Sequence, residues 1–251
     1  KTSKVEGEGK DAKVRNTILL FEEPELFLHP HLMRRLKNAL KSIANNTNWQ
    51  VVISTHSPFL IDVVDNPKSL IILKRCSPVA PPSCYQLEED PFSDPDLDYE
   101  RTALRASIDF HPTVNEAFFA ERVVLVEGDT EIAVFKHEDN LHKFLGIPDK
   151  KYENATIVSC GGKWTIPAIA RLLSKFHIDF KVVHDIDRKG RTDEQLKSIS
   201  PFDPYNANAK IKEACNGAPI YEVDDTFEDI LWDRKDHEFS SKDKPFRAWK
   251  K

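Results

Sequence analysis

The sequence predicts an α/β fold with a parallel sheet flanked by helices, and two observations support this prediction. From residue 121 onward, short β-branched apolar runs alternate with helical segments, which is the pattern of parallel strands joined by crossover helices. Two of the runs, Val123–Val126 and Lys181–His184, lead into acidic residues, as buried strands do at the carboxyl edge of a sheet. Because ligands of open α/β sheets bind at that edge, we expect a functional site there.

The predicted elements of this region follow one another at crossover spacing. Between the two acidic strand ends there is room for a helix, a strand and a second helix, as a right-handed crossover requires. The turn Ser159–Lys163 contains two glycines, and it is compatible either with an ordinary tight turn or with a loop that binds a phosphate through its N–H groups. In order, we predict the strand Val123–Val126, a helix from Thr130 to about Leu145, the strand Ala155–Val158, the helix Ile166–Phe176, the strand Lys181–His184 and a strand around Pro219–Val223.

Four carboxylates at these strand ends are the candidate metal ligands and catalytic residues: Glu127, Glu131, Asp185 and Asp187. Either motif alone, Glu-Gly or Asp-x-Asp, is common in solvated loops, but the two together are more specific. Four carboxylates crowd together only when cations neutralise them, and hard oxygen ligands suit Mg²⁺ or Mn²⁺. The layout predicts two ions that promote phosphodiester hydrolysis, one lowering the pKa of water and one stabilising the leaving oxygen.

Two further sets of residues are candidates for contacts with a phosphodiester substrate. Lys244 is the candidate cation for the charge that develops on the phosphoryl oxygens, and the alternative is a lysine in solvent. The formal net charge is −5, so DNA contact has to come from local basic patches. A charge run is usually a solvated helix face, but the basic window between 163 and 191 supplies four candidate DNA-binding residues: Lys163, Arg188, Lys189 and Arg191.

The N-terminal part of the sequence contains a second set of acidic residues. The apolar run Thr17–Phe21 is followed by Glu22 and Glu23, which is typical of a Walker B strand. In that motif one carboxylate holds the Mg²⁺ of a nucleotide, here Glu22, and a second orients the attacking water, here Glu23. A helix is predicted from about His31 to Ala44, then the strand Trp49–Ser54, which leads to His56, and a further strand Leu70–Lys74.

This arrangement resembles the C-terminal half of an ABC-type ATPase, in which His56 matches the switch histidine that contacts the γ-phosphate. No Gly-x-x-x-x-Gly-Lys-[Ser/Thr] loop occurs in the 251 residues, and without a phosphate cradle we expect no ATPase activity from this chain alone. ATP is expected only together with the missing N-terminal half, on the same or a separate chain. The sequence begins with Lys rather than Met, which is compatible with a piece of a longer protein.

The amino-acid composition limits the class of protein and its expected location. Apolar residues make up 40% and charged residues 31%, as in globular chains. No apolar run approaches the ~20 residues that a membrane helix needs. Four cysteines without CxxC spacing favour reduced thiols and a cytoplasmic location. The predicted organisation is a mobile lead-in (1–16), the C-terminal part of an ABC-type ATPase domain (17–75), a proline-rich connecting segment (76–118) and the carboxylate-bearing α/β domain (119–251).

The last of these segments resembles a Toprim domain, because Glu127-Gly128 and Asp185-x-Asp187 each follow an apolar strand. An ABC-type half followed directly by a Toprim domain resembles the OLD (overcoming lysogenisation defect) family of nucleases. The resemblance implies a DNA endonuclease that uses two Mg²⁺ or Mn²⁺ ions, an ATPase coupled to it, a homodimer formed through the ATPase, and a role in phage defence or DNA repair. It also makes Glu228 a weaker match to an acidic metal-binding position.

Two other classes of function remain open on the sequence. One is a Toprim scaffold without catalytic activity that binds partner proteins, although a scaffold has no need of the paired Glu127 and Glu131. The other is a Toprim primase or topoisomerase. A topoisomerase needs a nucleophilic tyrosine on a further domain and a primase usually carries a zinc module, and neither is evident.

Overall fold

The computed structural model describes residues 16–46, 48–75, 77, 79–135, 155–224, 226–231 and 244–250. The chain divides into two compact units, Lys1–Leu60 and Ile61–Lys251. Apart from Asn16, the predicted mobile lead-in lies outside the described residues. The predicted domain limits at 75/76 and 118/119 remain predictions.

The first unit contains two parallel strands joined by a helix. Strand β1 (Thr17–Glu22) pairs with β2 (Trp49–Ser54) in parallel, and α1 (Pro30–Ala44) connects them. Pro30 stands in the first turn of α1, where a missing N–H costs no helical hydrogen bond. The register places Glu22 opposite Ser54, so the acidic end of β1 lies beside the Thr55–His56 end of β2.

The second unit begins with a small antiparallel pair and a helix. Strand β3 (Ile71–Lys74) pairs with β4 (Ser83–Gln86). Helix α2 spans Asp98–Phe110, within the segment predicted to be a connection. A 3-10 helix over Pro112–Phe119 follows it. Shorter 3-10 turns lie at Pro67–Ser69, Pro95–Leu97 and Lys163–Thr165.

A four-stranded sheet with parallel pairing throughout forms the centre of the second unit, in the order β6-β5-β7-β8. Its strands are β5 (Arg122–Val126), β6 (Ala155–Ser159), β7 (Asp179–Asp185) and β8 (Ile220–Val223). The prediction of an α/β fold with a parallel sheet is therefore confirmed.

Helices follow the strands as the alternating pattern predicts. Their bounds are α3 (Asp129–Phe135), α4 (Ile166–Lys175), α5 (Asp193–Leu196), α6 (Pro204–Cys215), α7 (Phe227–Leu231) and α8 (Lys244–Lys250). The part of the first helix predicted beyond 135 lies outside the described residues. Within the described part of the chain, no helix is long and apolar enough to cross a bilayer.

The core of the second unit joins the sheet to α2 and α4. Leu125 of β5 and Val182 of β7 are fully buried, and Leu172 and Phe176, in and just after α4, are buried with them. Burying each such side chain contributes about 1.5–3 kcal/mol. This packing fixes the positions at which β5 and β7 end.

Candidate active site

The carboxyl ends of β5 and β7 bring Glu127 and Asp185 to the same edge of the sheet. The two strands are neighbours, with Val126 opposite Val183, and each continues directly into its carboxylate. Asp185 is 8% exposed. One carboxylate oxygen of each residue, Glu127 Oε2 and Asp185 Oδ1, is buried and has no hydrogen-bond partner.

The third candidate, Glu131, lies in the first turn of α3. Its Oε2 accepts a hydrogen bond of 3.1 Å from the Gly128 N–H, so the carboxylate satisfies one of the N–H groups that a helix start leaves unpaired. Glu131 is 5% exposed. Its pKa is raised, chiefly because of burial.

Burial and mutual repulsion hold these carboxyl groups at unusually high pKa values. Burial, followed by repulsion from Asp187, raises the pKa of Glu127 to about 7. Burial, followed by repulsion from Glu127 and Glu131, raises the pKa of Asp185 to about 8. Negative charge therefore outweighs positive charge at this edge of the sheet, and this excess favours a bound cation.

Asp187 lies at the same edge but has cationic partners. Its Oδ2 is 2.9 Å from Lys163 Nζ, and its Oδ1 is 3.6 Å from Lys189 Nζ. The backbone of Asp187 has φ 59°, the left-handed region that non-glycine residues rarely adopt. This conformation turns the chain sharply after β7, so that the Asp187 side chain stays 7% exposed rather than pointing into solvent.

Lys163 occupies a different environment from the one predicted. We predicted a DNA contact, yet Lys163 is 3% exposed and donates both to Asp187 Oδ2 and to the Asp185 carbonyl. The reason is the direction of the turn that follows β6: Gly161 and Gly162 have φ values of 71° and 137°, and they direct the next side chain into the acidic edge. In this structure Lys163 is part of the carboxylate site and not of an exposed basic surface.

The glycine turn itself is held by backbone hydrogen bonds. The Cys160 N–H donates to the Val126 carbonyl and the Gly162 N–H donates to the Glu127 carbonyl, each at 2.9 Å. These N–H groups are therefore not available to a phosphate. The structure favours a tight βα turn between β6 and α4, hydrogen-bonded to the end of β5, over the phosphate-binding alternative.

Glu228 and Lys244 lie close to the same carboxylates. Lys244 Nζ, at the start of α8, is 3.0 Å from Glu228 Oε1 on α7. Repulsion from Glu228 contributes to the raised pKa of both Glu131 and Asp185. Glu228 therefore interacts electrostatically with Glu131 and Asp185, and Lys244 joins this group through its ion pair with Glu228.

The other predicted DNA-binding residues lie on the segment after Asp187. Arg188 Nη2 is 2.6 Å from Asp193 Oδ1, and Arg191 pairs with both carboxylate oxygens of Asp203 at 2.7 and 3.0 Å. Arg191 also donates to the Asp187 carbonyl at 2.7 Å, which ties this segment to the site. The side chains of Arg188 and Lys189 remain 47% and 58% exposed.

The acidic edge fits divalent cations by the chemistry of its donors, although its ligands are not assembled around one point. In the described residues, no group of three or more Asp, Glu, His or Cys side chains is already arranged to hold a metal ion. The unpartnered oxygens of Glu127 and Asp185 are nevertheless the hard donors that Mg²⁺ and Mn²⁺ take. Neutralisation by a cation would also remove the repulsion that raises the pKa of both groups.

In the first unit, two of the predicted ATPase residues are in contact. His56 lies against Glu23, with Nε2 at 3.3 Å from Oε1 and the backbone N–H at 3.3 Å from Oε2. Glu23 has φ 43°, and its N–H donates to the Ser54 carbonyl at 2.9 Å. Glu22, at the end of β1, is exposed.

Sequence reasoning missed Glu25. Its Oε1 accepts from the Thr55 hydroxyl and from the His56 N–H at 3.1 Å. Burial alone would raise its pKa, but the hydrogen bonds from Thr55 and from backbone N–H groups outweigh burial and lower it. Its place in Glu-Glu-Pro-Glu, with a Thr-His pair after the next strand, was the available signal.

Two family models match parts of the chain. The "Overcoming lysogenization defect protein-like, TOPRIM domain" model matches residues 118–187, and the "AAA domain, putative AbiEii toxin, Type IV TA system" model matches residues 7–62. The chain therefore carries an OLD-like Toprim domain together with a region similar to an AAA domain. The resemblance to the OLD family is confirmed.

Similar proteins carry related names. The OLD nuclease of Thermus scotoductus is 28% identical over 91% of this chain and 42% of its own length. The Old nuclease of Escherichia phage P2 is 24% identical over 74% of this chain and 30% of its own length. Endonuclease GajA of Bacillus cereus is 27% identical over 72% of this chain and 27% of its own length. The chain thus spans less than half the length of these relatives.

Proposed function

We propose that this chain, which carries an OLD-like Toprim domain, is the nuclease part of a metal-dependent DNA endonuclease. The observation that supports this most directly is the pair of buried, unpartnered carboxylate oxygens of Glu127 and Asp185 at one sheet edge. Such groups are costly in a fold unless a cation or a reaction uses them. The names of the relatives, two OLD nucleases and one endonuclease, support the same reaction class.

Under this proposal the acidic residues hold two Mg²⁺ or Mn²⁺ ions. Glu127 and Asp185 supply the unpartnered oxygens, Glu131 and Glu228 lie close enough to raise the pKa of Asp185, and Asp187 completes the set. When bound, such ions lower the pKa of water and stabilise the leaving oxygen of a phosphodiester. The residues of the chain orient these donors at the edge of the sheet.

Two lysines have separate roles in the proposal. Lys244 meets the negative charge that develops on the phosphoryl oxygens, and its salt bridge to Glu228 at 3.0 Å holds it beside the carboxylates. Lys163 is a positioning residue, because its bond to Asp187 at 2.9 Å keeps that side chain turned toward the site. The exposed Arg188 and Lys189 meet the DNA backbone.

The first unit fits the C-terminal part of a nucleotide-binding domain. The contacts of Glu23 with His56 would place a water-orienting carboxylate next to a γ-phosphate sensor, with Glu22 as the ligand of a nucleotide Mg²⁺. Apolar side chains of β1, Ile18 and Leu20, are 61% and 71% exposed. We propose that a further ATPase segment, on the same or another chain, covers them, and that ATP binding and homodimerisation belong to that assembly.

The test is nicking of supercoiled plasmid by the purified chain with Mg²⁺, with Mn²⁺ and with EDTA. We expect cleavage with either metal, none with EDTA and none from Asp185→Ala. Lys244→Ala should lower the rate by about 10²–10³, the loss typical of a removed transition-state donor. Asp109→Ala and Lys212→Ala, at exposed positions of α2 and α6, are the matched controls.

Each outcome bears on a separate part of the proposal. If Asp185→Ala nicks as fast as the wild type, the metal assignment is wrong. If Asp185→Ala is inactive and Lys244→Ala is fully active, the carboxylate site stands and another residue meets the phosphoryl charge. If no metal supports cleavage of single- or double-stranded DNA, the chain acts as a non-catalytic scaffold.

A further inference from the structure

Three aromatic side chains form a partly exposed cluster in the second unit, which we call the aromatic patch: Tyr99, Trp164 and Phe202. The ring centroids of Tyr99 and Trp164 are 5.6 Å apart, and those of Tyr99 and Phe202 are 5.3 Å apart. Tyr99 is 44% and Phe202 63% exposed, so both rings keep much of their surface in water. Large apolar rings held this way are costly to solvate and mark interaction sites.

The aromatic patch is fixed in place. The Trp164 indole N–H donates to the Phe202 carbonyl at 3.1 Å, which joins the turn after β6 to the segment before α6. Asp203, the residue after Phe202, caps α6 by accepting from the Tyr205 N–H at 3.0 Å. The rings therefore have little freedom to collapse onto the surface, and a ligand that contacts them does not have to order them first.

The aromatic patch is connected to the carboxylate site on two sides. Trp164 directly follows Lys163, whose Nζ is 2.9 Å from Asp187 Oδ2. Phe202 directly precedes Asp203, which holds Arg191, and Arg191 in turn donates to the Asp187 carbonyl at 2.7 Å. Trp164 is thus linked to the proposed metal ligand Asp187 through Lys163, and Phe202 is linked to it through Asp203 and Arg191.

The basic residues near the aromatic patch indicate which class of ligand fits it. The segment between the aromatic patch and Asp187 carries Arg188 and Lys189, whose side chains are about half exposed. Exposed aromatic rings joined to a cationic segment match a nucleotide, whose base stacks on a ring face while its phosphate meets the positive charge. An apolar protein partner would gain nothing from these cations.

We propose that the aromatic patch stacks an unpaired base of the DNA strand whose phosphodiester lies at the carboxylate site. The proposal rests on the proposed nuclease function and names its substrate: DNA with a single-stranded, frayed or flipped base next to the cleaved bond. A base within a duplex already stacks on its neighbours and cannot present its face to Tyr99 and Phe202. The aromatic patch therefore favours junctions and overhangs over continuous duplex.

The experiment measures binding and stacking without cleavage. Duplexes carrying 2-aminopurine, a base whose fluorescence falls on stacking, are titrated with the full chain in EDTA. One duplex carries the probe in a single-stranded overhang and the other within the paired region. For the wild type we expect tighter binding of the overhang and quenching of the overhang probe beyond that in free DNA.

The variants separate stacking from fold and from general affinity. Phe202→Leu and Tyr99→Leu keep an apolar side chain but remove a ring, and each should weaken overhang binding about 5- to 20-fold and abolish the quenching. Both variants should bind continuous duplex as the wild type does. Phe110→Leu is the matched control, because Phe110 is 80% exposed at the opposite end of α2, about 16 Å along the helix from Tyr99.

The result that overturns the proposal is equal binding of both duplexes, or quenching that persists in Phe202→Leu and Tyr99→Leu. Self-association that is lost in Phe202→Leu, seen by sedimentation, would assign the aromatic patch to a contact between chains and also overturn it. Plasmid nicking by the wild type without any quenching would reject the stacking proposal and leave the proposed nuclease function intact. Absence of both nicking and DNA binding would reject the nuclease function together with the stacking proposal.

Discussion

Replacing Asp185 by asparagine should stabilise the metal-free protein at alkaline pH. Asp185 is 8% exposed, and one of its oxygens has no partner. Burial and the neighbouring carboxylates raise its pKa to about 8 from 3.8. Near pH 3 the carboxyl group is protonated in both the folded and the unfolded chain, so it does not lower the free energy of unfolding. As the pH rises from about 4 to about 8, the unfolded chain releases its proton and the folded chain keeps it, so the folded state progressively loses stability.

The size of the effect follows from the two pKa values. One pKa unit corresponds to 1.36 kcal/mol, so the interval between 3.8 and about 8 sets an upper limit of about 5–6 kcal/mol. Asparagine removes this charge but buries additional N–H donors, which costs about 1–3 kcal/mol. We therefore expect Asp185→Asn to be about 3 kcal/mol more stable than the wild type at pH 8.5. That difference corresponds to a Tm higher by about 6–12 °C for a chain of this size.

The assay is thermal unfolding in EDTA between pH 5 and pH 9, followed by circular dichroism. The gain in Tm should grow with pH up to about 8 and then level off, and Asp109→Asn should show no such trend because its side chain is exposed. Millimolar Mg²⁺ should raise the Tm of the wild type by mass action and raise that of Asp185→Asn less. An asparagine variant that is less stable than the wild type at pH 8.5, or equally stable at every pH, would refute the reasoning.

Three further predictions address other contacts. Lys163→Met should leave Asp187 buried without its closest cation, lowering the Tm by several degrees at pH 8 and weakening Mg²⁺-dependent stabilisation; an unchanged Mg²⁺ titration would remove Lys163 from the site. Glu100→Gln should destabilise the protein by about 1–3 kcal/mol in urea unfolding, since it removes the charge from a buried, hydrogen-bonded partner of Arg171. Glu100 is 1% exposed and lies 3.2 Å from Arg171 Nε, while Glu213 remains 3.7 Å from Arg171 Nη2; unchanged stability would contradict this. The chain alone should hydrolyse no ATP in a phosphate-release assay, and turnover that is lost in Glu23→Gln would reveal a phosphate cradle of another type.

Much of the architecture could be predicted because its signals are local. Apolar β-branched runs located β5, β6 and β7, and their periodic alternation with helices predicted parallel pairing. The acidic residues that follow β5 and β7 could then be assigned to one sheet edge without knowledge of any side-chain position. That reasoning reached Glu127 and Asp185, which the structure places at the ends of neighbouring strands.

Side-chain direction at the turns could not be predicted in the same way. Whether Lys163 faces solvent or the carboxylates depends on the positive φ values of Gly161 and Gly162, and a Gly-Gly pair permits several such turns. The pairing of Arg191 with Asp203 joins residues twelve positions apart, and no periodicity encodes it. Counting basic residues between 163 and 191 therefore identified the cations but not their environments.

In each of the two units, the backbone is strained just after an acidic strand end. Glu23 and Asp187 each follow a strand end, and each has a positive φ, 43° and 59°, which costs of order 1–3 kcal/mol for a residue with a side chain. Such conformations persist where surrounding contacts compensate for them, and here His56 and Lys163 provide those contacts. Glycine at Asp187 would relieve the strain but remove the carboxylate that Lys163 holds. An aspartate in this conformation therefore indicates that the side chain is needed at the sheet edge, where the proposed cations would meet the unpartnered oxygens of Glu127 and Asp185.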